Sequence, residues 1–401
     1  MKRIGLFVLI SIMFLVLIGY GAPASAQKPA IKIGVADDYT GTLAAQGRDL
    51  LQSVKIFFDE KGLNVAGRKI ELVTEDTRLD AATALAKTKK LVLDDKVHLL
   101  IGYHGSGDTL AIRDYVHQQS IPLITAAGAV ELTRNLKSPY IFRVMSGNTQ
   151  YGYPLGVYAA KQGYKKAILM GIDYVAAHQA GLVVKAGFEE KGGKVIDQGW
   201  SRWGTTDFSP YLAKIAGKKG EVDVLLTCYW GPEAGRFFAQ YGEYGLKGVI
   251  PVCAAGGVDE TALPGLGKHG IGIRHLYVYA ATIDTPKNKK YVETFEKEMG
   301  RSPGGFGFIG YNSARIAWDA LEKINGEVEN TSKFLDALRK TDFKNELTGG
   351  RLRFDERQGM ILDHYIMEIR EVKGKIVNIV IETIPQVEDP VDKFPMEFFK
   401  R

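Results

Sequence analysis

Cysteine is nearly absent from this chain: of 401 residues only Cys228 and Cys253 carry a thiol. Two cysteines this far apart, with seven histidines scattered rather than clustered, offer no zinc-type ligand set. Each follows an apolar run, 222–227 and 249–252, at the expected ends of neighbouring strands. Disulfide geometry between adjacent parallel strands is restrictive, so free buried thiols are expected, with a disulfide as the alternative in a secreted chain. The signature motifs of common enzymes are missing too. There is no G-x-x-x-x-G-K-[ST] and no H-E-x-x-H. One G-x-G-x-x-G occurs, Gly305 to Gly310, but it follows the loop 300–304 rather than a strand, which argues against a dinucleotide fingerprint. His104, His178 and His269 stand singly and read as solvated or hydrogen-bonded side chains. Asp37 and Asp38 have no evident nucleophile or metal partner and read as polar cleft or capping residues. The expectation is a protein that catalyses nothing and needs no cofactor. The net charge of +6 comes from basic residues interspersed with acids, without the stripe that nucleic-acid binding requires. Beyond residue 26 no apolar run reaches the roughly 20 residues of a membrane helix.

The first 26 residues have a distinct composition. Lys2 and Arg3 precede an apolar run from Ile4 to Ile18, and Ala24-Ser25-Ala26 supplies a small-residue cleavage site. That order is a secretory signal, with an uncleaved anchor as the alternative. No cysteine follows the cleavage site, so a lipoprotein anchor is not expected. A mature chain from Gln27 in a bacterial periplasm is. The remainder exceeds one ordinary core and suits two domains.

From Ile31 short apolar runs alternate with helical patterns: strands near 31–36, 69–74, 98–102 and 122–125, helices near 51–61, 81–94 and 109–119. The pattern restarts after Arg143 and runs to about Cys253. Such alternation argues parallel sheets covered on both faces. The fold class is therefore α/β, two doubly wound parallel-sheet lobes in succession. The last third differs. It has helices near 289–299, 311–324 and 331–340, then two strands, 364–372 and 376–383, around Lys373-Gly374.

In open α/β sheets ligands bind beyond the carboxyl ends of strands, near helix N-termini whose free N–H groups favour anions. Three loops fit. The first is Gly102-Tyr103-His104-Gly105-Ser106-Gly107-Asp108, where Ser106 offers a hydroxyl and plain helix capping is the ordinary alternative. The second is Thr125-Ala126-Ala127-Gly128-Ala129, small enough to expose main-chain groups. The third, from Thr227 to Glu233, puts Tyr229 and Trp230 where a cleft wall is expected; core packing is the alternative.

Several stretches resemble the periplasmic binding proteins of branched-chain amino-acid-type ABC importers, the Leu/Ile/Val-binding family. They are Ile31-Lys32-Ile33-Gly34-Val35 leading to Thr40-Gly41, Glu75-Asp76-Thr77, Leu100-Ile101-Gly102 with Ser106, Glu131-Leu132-Thr133, Ile141-Phe142-Arg143, Thr206-Asp207-Phe208 and Tyr311-Asn312-Ser313-Ala314. The resemblance spans Ile31 to about Val372. It implies a three-crossover hinge, with 27–144 and 280–350 in lobe one and 145–279 and 351–384 in lobe two; the tail at 385–401, with three prolines, reads as a surface wrap. It also implies a ligand carboxylate held by Ser106 and by Ala127, Gly128 and Ala129, with Tyr103, Tyr174, Tyr229, Trp230 and Phe306 around it. Two departures matter. Where amino-acid binders keep an acid for the ligand's ammonium, this chain has Gly256 or Gly257, with Asp259 nearby, and the aromatic expected before Gly47 is Gln46. The expectation is an ABC-importer receptor, acting as a monomer with a membrane permease and no nucleic acid, that captures a small organic carboxylate such as an aromatic acid. The alternatives are branched-chain or other amino-acid binding, or a ligand-sensing receptor domain.

Overall fold

The computed structural model of the protein describes residues 28–400, so the expected signal segment at 1–26 lies outside the described residues. Its first part runs β1 (Ile31–Asp37), α1 (Ala44–Glu60), β2 (Asn64–Val65), β3 (Arg68–Asp76), α2 (Ala81–Leu93), β4 (Leu99–Gly102), α3 (Ser106–Gln118), β5 (Leu123–Thr125) and β6 (Ile141–Arg143). These strands form a six-stranded sheet in the order β2-β3-β1-β4-β5-β6, parallel except for β2 against β3. Strands β4, β5 and β6 are buried along their whole length because both faces are covered, while the outer β3 carries exposed polar residues. Leu99 and Ile101 point into one core with Leu50 and Val54 of α1, while Leu100 between them packs with Leu91 of α2 and Ile112 of α3. Fully burying each such side chain contributes about 1.5–3 kcal/mol.

The second part runs α4 (Asn148–Lys161), β7 (Lys166–Ile172), α5 (Val175–Glu190), β8 (Lys194–Ser201), α6 (Ser209–Ala216), β9 (Val224–Cys228), α7 (Gly231–Glu243), β10 (Val252–Ala255), α8 (Leu263–Leu266) and β11 (Arg274–Tyr277). The chain then adds α9 (Pro286–Met299), α10 (Gly305–Lys323), α11 (Thr331–Arg339), β12 (Asp342–Lys344), β13 (Arg351–Phe354), β14 (Met360–Val372) and β15 (Lys375–Val387). The second sheet follows the order β12-β13-β14-β11-β10-β9-β7-β8, with β15 paired to β14. Its core from β8 to β11 is parallel, and β14 and β15 close it antiparallel. Lys373 and Gly374 both have positive φ, which joins β14 to β15 through the tight turn that matches strand twist. Cys228 and Cys253 are both buried and free.

Helices α9 and α10 return to the first sheet by packing on α1. Here the structure corrects one boundary. The helix expected from Tyr311 begins at Gly305, so the G-x-G-x-x-G stretch is its first turns. Glycine's poor helix propensity hid this, and close packing explains it. A Cβ at Gly310 would lie 2.3 Å from the Leu50 carbonyl of α1. The β12–β13 ribbon lies over the junction of the two lobes: β13 pairs with β14, while the neighbouring Asn345 side chain bonds Asn312 of α10.

Candidate functional site

The two sheets direct their strand ends at one another, and a cavity of about 660 Å³ of free space, mouth included, lies between them. From the first lobe its wall takes the start of α1, the loop before α3, the loop after β5 and the start of α10. The second lobe supplies the N-termini of α4, α5 and α7 and the loop after β10.

Glycine lets these walls approach. A Cβ on Gly47 in α1 would sit 1.9 Å from the Asp38 carbonyl, so only glycine allows α1 to lie against the end of β1. Gly257 has φ of +79°, and a Cβ there would meet the Tyr229 carbonyl at 1.8 Å. Asp38 holds the start of α1, its carboxylate accepting from Leu43 N–H at 2.8 Å and from Gly41 N–H. It is a capping residue, as the sequence implied.

Six of the ten residues singled out from the sequence line the cavity: Ser106, Gly128, Tyr174, Trp230, Gly257 and Phe306. Ser106 is the first residue of α3, following Gly105 in extended conformation. The Tyr174 hydroxyl reaches across from the second lobe and accepts from Gly107 N–H at 3.2 Å. Trp230 immediately precedes α7 and is only partly buried, as are Tyr174 and Phe306.

The other four do not reach it. Tyr103 is fully buried on the α2–α3 side, its hydroxyl 2.8 Å from Thr88 Oγ1. Tyr229 faces the second lobe's core, its ring stacked 4.5 Å from Phe237 and its hydroxyl on Ser201. Ala127 and Ala129 pack with Leu132 and Leu110 instead of facing the cleft. All four lie in loops just past a strand end, where the local turn of the backbone decides which neighbour faces the cleft; Tyr103, for one, has φ of +54°.

The structure adds wall residues that sequence reasoning missed: Tyr151, Trp203 and Tyr277 among aromatics, and His104 and Asn148 among polar groups; Gln46, noted as a departure from the family, also lines the wall. Tyr151 and Asn148 come from the first turns of α4. Asn148 N–H bonds the Gly128 carbonyl at 2.9 Å, and its side chain takes a hydrogen bond from Tyr151 and gives one to Gln179. Gln179 in turn donates to Glu131 across the lobes at 2.8 Å. The signal available in the sequence was only that the pattern of elements restarts after Arg143, which does not say which residues of α4's first turns face the cleft.

Asp259 also lines the cavity, but both its oxygens are engaged. One accepts from Gly305 N–H at the start of α10, 2.8 Å away; the other accepts from the backbone and hydroxyl of Thr261. It therefore ties the second lobe to a helix of the first. Among the described residues no cluster of His, Cys, Asp and Glu could hold a metal ion.

The family model of the periplasmic binding proteins matches residues 30–375. The Leu/Ile/Val-binding protein homolog 6 of Brucella abortus (strain 2308) is 27% identical over 379 residues, covering 92% of this chain and 95% of the relative. Among solved structures, an ABC transporter substrate-binding protein from Sphaerobacter thermophilus superposes with a TM-score of 0.84 at 34% identity, covering 90% of this chain and 99% of that one. A solute-binding protein of an ABC transporter from Rhodopseudomonas palustris BisB5, solved with 3,4-dihydroxybenzoic acid, gives 0.85 at 27% identity over 90% and 99%. Two facing parallel-sheet lobes with a cleft between them are the type I architecture of this group. The chain belongs to the periplasmic binding proteins, of the branched-chain amino-acid type that serves ABC transporters, a family that binds substrates and does not catalyse.

Proposed function

We propose that this protein captures an aromatic carboxylate between its lobes and delivers it to a membrane ABC permease, working as a monomer outside the cytoplasm. The observation that carries the ligand class is the state of Asp259. Its oxygens already accept from Gly305 and Thr261, so the wall's one acid is committed to holding the start of α10 and is a poor partner for an α-ammonium group. A buried ammonium without a partner is costly, so amino acids are disfavoured. The wall supplies aromatic surface on both sides, from Tyr151, Tyr174, Trp203, Trp230, Tyr277 and Phe306. For the carboxylate it supplies the Ser106 hydroxyl at the N-terminus of α3. Gln46, buried and with its side-chain oxygen unpartnered, stands ready to accept from a ring hydroxyl. The R. palustris neighbour bound to 3,4-dihydroxybenzoic acid supports the same class. No helix of the described residues is long and apolar enough to cross a membrane.

A thermal-shift panel tests the reading, because a ligand that binds only the folded state raises the melting temperature. Benzoate and 4-hydroxybenzoate are expected to raise it in a concentration-dependent way, and leucine and isoleucine to leave it unchanged. A shift with leucine alone would return Asp259 to the role of ammonium partner.

A further inference from the structure

His104 is the one cavity-lining side chain able to carry a positive charge; neither lysine nor arginine lines that wall. Its position follows from the sheet. β1 and β4 are parallel neighbours with Ala36 opposite Gly102, which sets Asp37 at the end of one strand beside the loop that leaves the other. Gly102 has φ of +118°, and a Cβ there would meet the Ala36 carbonyl at 2.3 Å, so the loop can turn this closely only on glycine. His104 Nδ1 is hydrogen-bonded to Asp37 Oδ1, and the ring packs 4.9 Å from Phe306. Both side chains are at most 2% exposed. The Asp37 bond commits Nδ1 as a donor. Nε2 is left buried and without a partner, as is the second oxygen of Asp37. Unpaired buried polar atoms are rare, and here the orphan belongs to a ring on the ligand cavity wall.

We infer that the Asp37–His104 pair is the charge-bearing element of the ligand site: His104 Nε2 meets the ligand's carboxylate, and the acid is taken up together with a proton. This rests on the aromatic-carboxylate reading above. The balance is simple. Neutral imidazole, a solvent proton and the carboxylate anion give an imidazolium–carboxylate pair, with no bond broken. In the empty cleft Asp37 fixes the neutral tautomer whose free nitrogen faces the ligand, and in the complex it stabilises the imidazolium.

The groups around His104 are consistent with this. Burial alone would depress its pKa, but Asp37, by charge and hydrogen bond, then Asp38 and Asp108, hold it above the ordinary value. Asp38 is neutralised in part by the Gly41 and Leu43 N–H groups. Asp108 is pushed up to about 6, by burial first and then by Asp37 and Asp38, against Thr77 and His104. From the facing lobe the titratable wall groups are Asp259, engaged as described, and Tyr151, Tyr174 and Tyr277, all held neutral by burial. A ligand carboxylate adds one more anion beside His104, so the complex titrates at higher pH than the free protein. Affinity is then flat below the free protein's titration point. Above it affinity falls by up to tenfold per pH unit until the complex's titration point is reached.

The test is calorimetry of benzoate, whose carboxyl is its only titrating group, into ligand-free wild type in buffers of differing ionisation enthalpy from pH 6 to 9. The expected result is net proton uptake in an interval of that range, absent in His104→Gln, which also binds at least tenfold more weakly. Asp37→Asn is expected to shift the uptake interval to lower pH. Carbon-13 NMR of the His104 ring in wild type gives the same answer without a variant: benzoate raises its titration point. Benzoate binding with no buffer dependence, and with an unmoved His104 titration, would overturn the inference while leaving the ligand class standing. Failure of both benzoate and 4-hydroxybenzoate to bind wild type would overturn the two together.

Discussion

Glu260 lies buried after β10, one carboxylate oxygen accepting from Ala281 N–H at 2.9 Å and the other without a partner. Burial, reinforced by neighbouring Asp259, pushes its pKa up to about 8 from an ordinary 4.5. An acid with a raised folded-state pKa holds its proton in the native state after the unfolded chain has released it. Stability from this site is therefore complete below about pH 4.5 and declines as pH rises toward 8, by at most about 1.4 kcal/mol per unit. Glu260→Gln removes the titration. The melting temperature of the variant minus that of wild type should climb between pH 5 and 8; a constant difference would place the proton elsewhere. Ser106 gives a second prediction at this scale. Losing a hydrogen bond to a charged ligand group costs about 1.5–3 kcal/mol, so Ser106→Ala should weaken aromatic-acid binding by tenfold or more at unchanged melting temperature. An unaltered dissociation constant would remove Ser106 from the site. The strand-end, helix-start position of Ser106 was legible because alternation of elements alone locates it. Which of two adjacent residues faces the cleft was not: His104 against Tyr103, and Trp230 against Tyr229, depend on the local turn of the backbone. His104 was read as an ordinary hydrogen-bonded side chain because its partner, Asp37, is 67 positions away.

At the scale of elements, the segment after β15 does more than cover the surface. Asp389 is buried between Arg134 and Arg143, 2.7 Å from the first, and also accepts from the Thr149 hydroxyl at 2.6 Å. Arg143 ends β6 and is wholly buried, with two guanidinium nitrogens unpartnered. Arg134 also donates to the Phe394 carbonyl, and Lys393 reaches Glu190 of α5. The tail thus joins the first lobe's last strand to the second lobe's helices. Removing one partner of a buried ion pair typically costs about 3–5 kcal/mol because it strands the other charge. Asp389→Ala should lower the urea midpoint by that equivalent, and an unchanged midpoint would show the arginines are satisfied without it. The strand and helix order of the lobes could be read from hydrophobic period. The start of α10, rich in glycine, could not, because its stability comes from contact with α1 and not from its own sequence. Nor could the tail's ion pair, whose members lie 255 positions apart.

Across the whole molecule, specific contacts bridge the cleft besides the Gln179–Glu131 bond. Tyr174 meets Gly107, Asp259 caps the first turn of α10, and Gly231 at the start of α7 leaves room for Leu43, whose side chain would lie 2.7 Å from a Cβ there. Because these contacts join opposite lobes around the cavity, a ligand touching both walls favours the closed arrangement. The central claim is that the enclosed space suits an aromatic acid and rejects an amino acid. Calorimetric titration of ligand-stripped protein with 4-hydroxybenzoate and, separately, with leucine addresses it directly. The account predicts saturable binding of 4-hydroxybenzoate at one site per chain and no measurable heat with leucine. Micromolar or tighter leucine binding, with none for the aromatic acid, would contradict it.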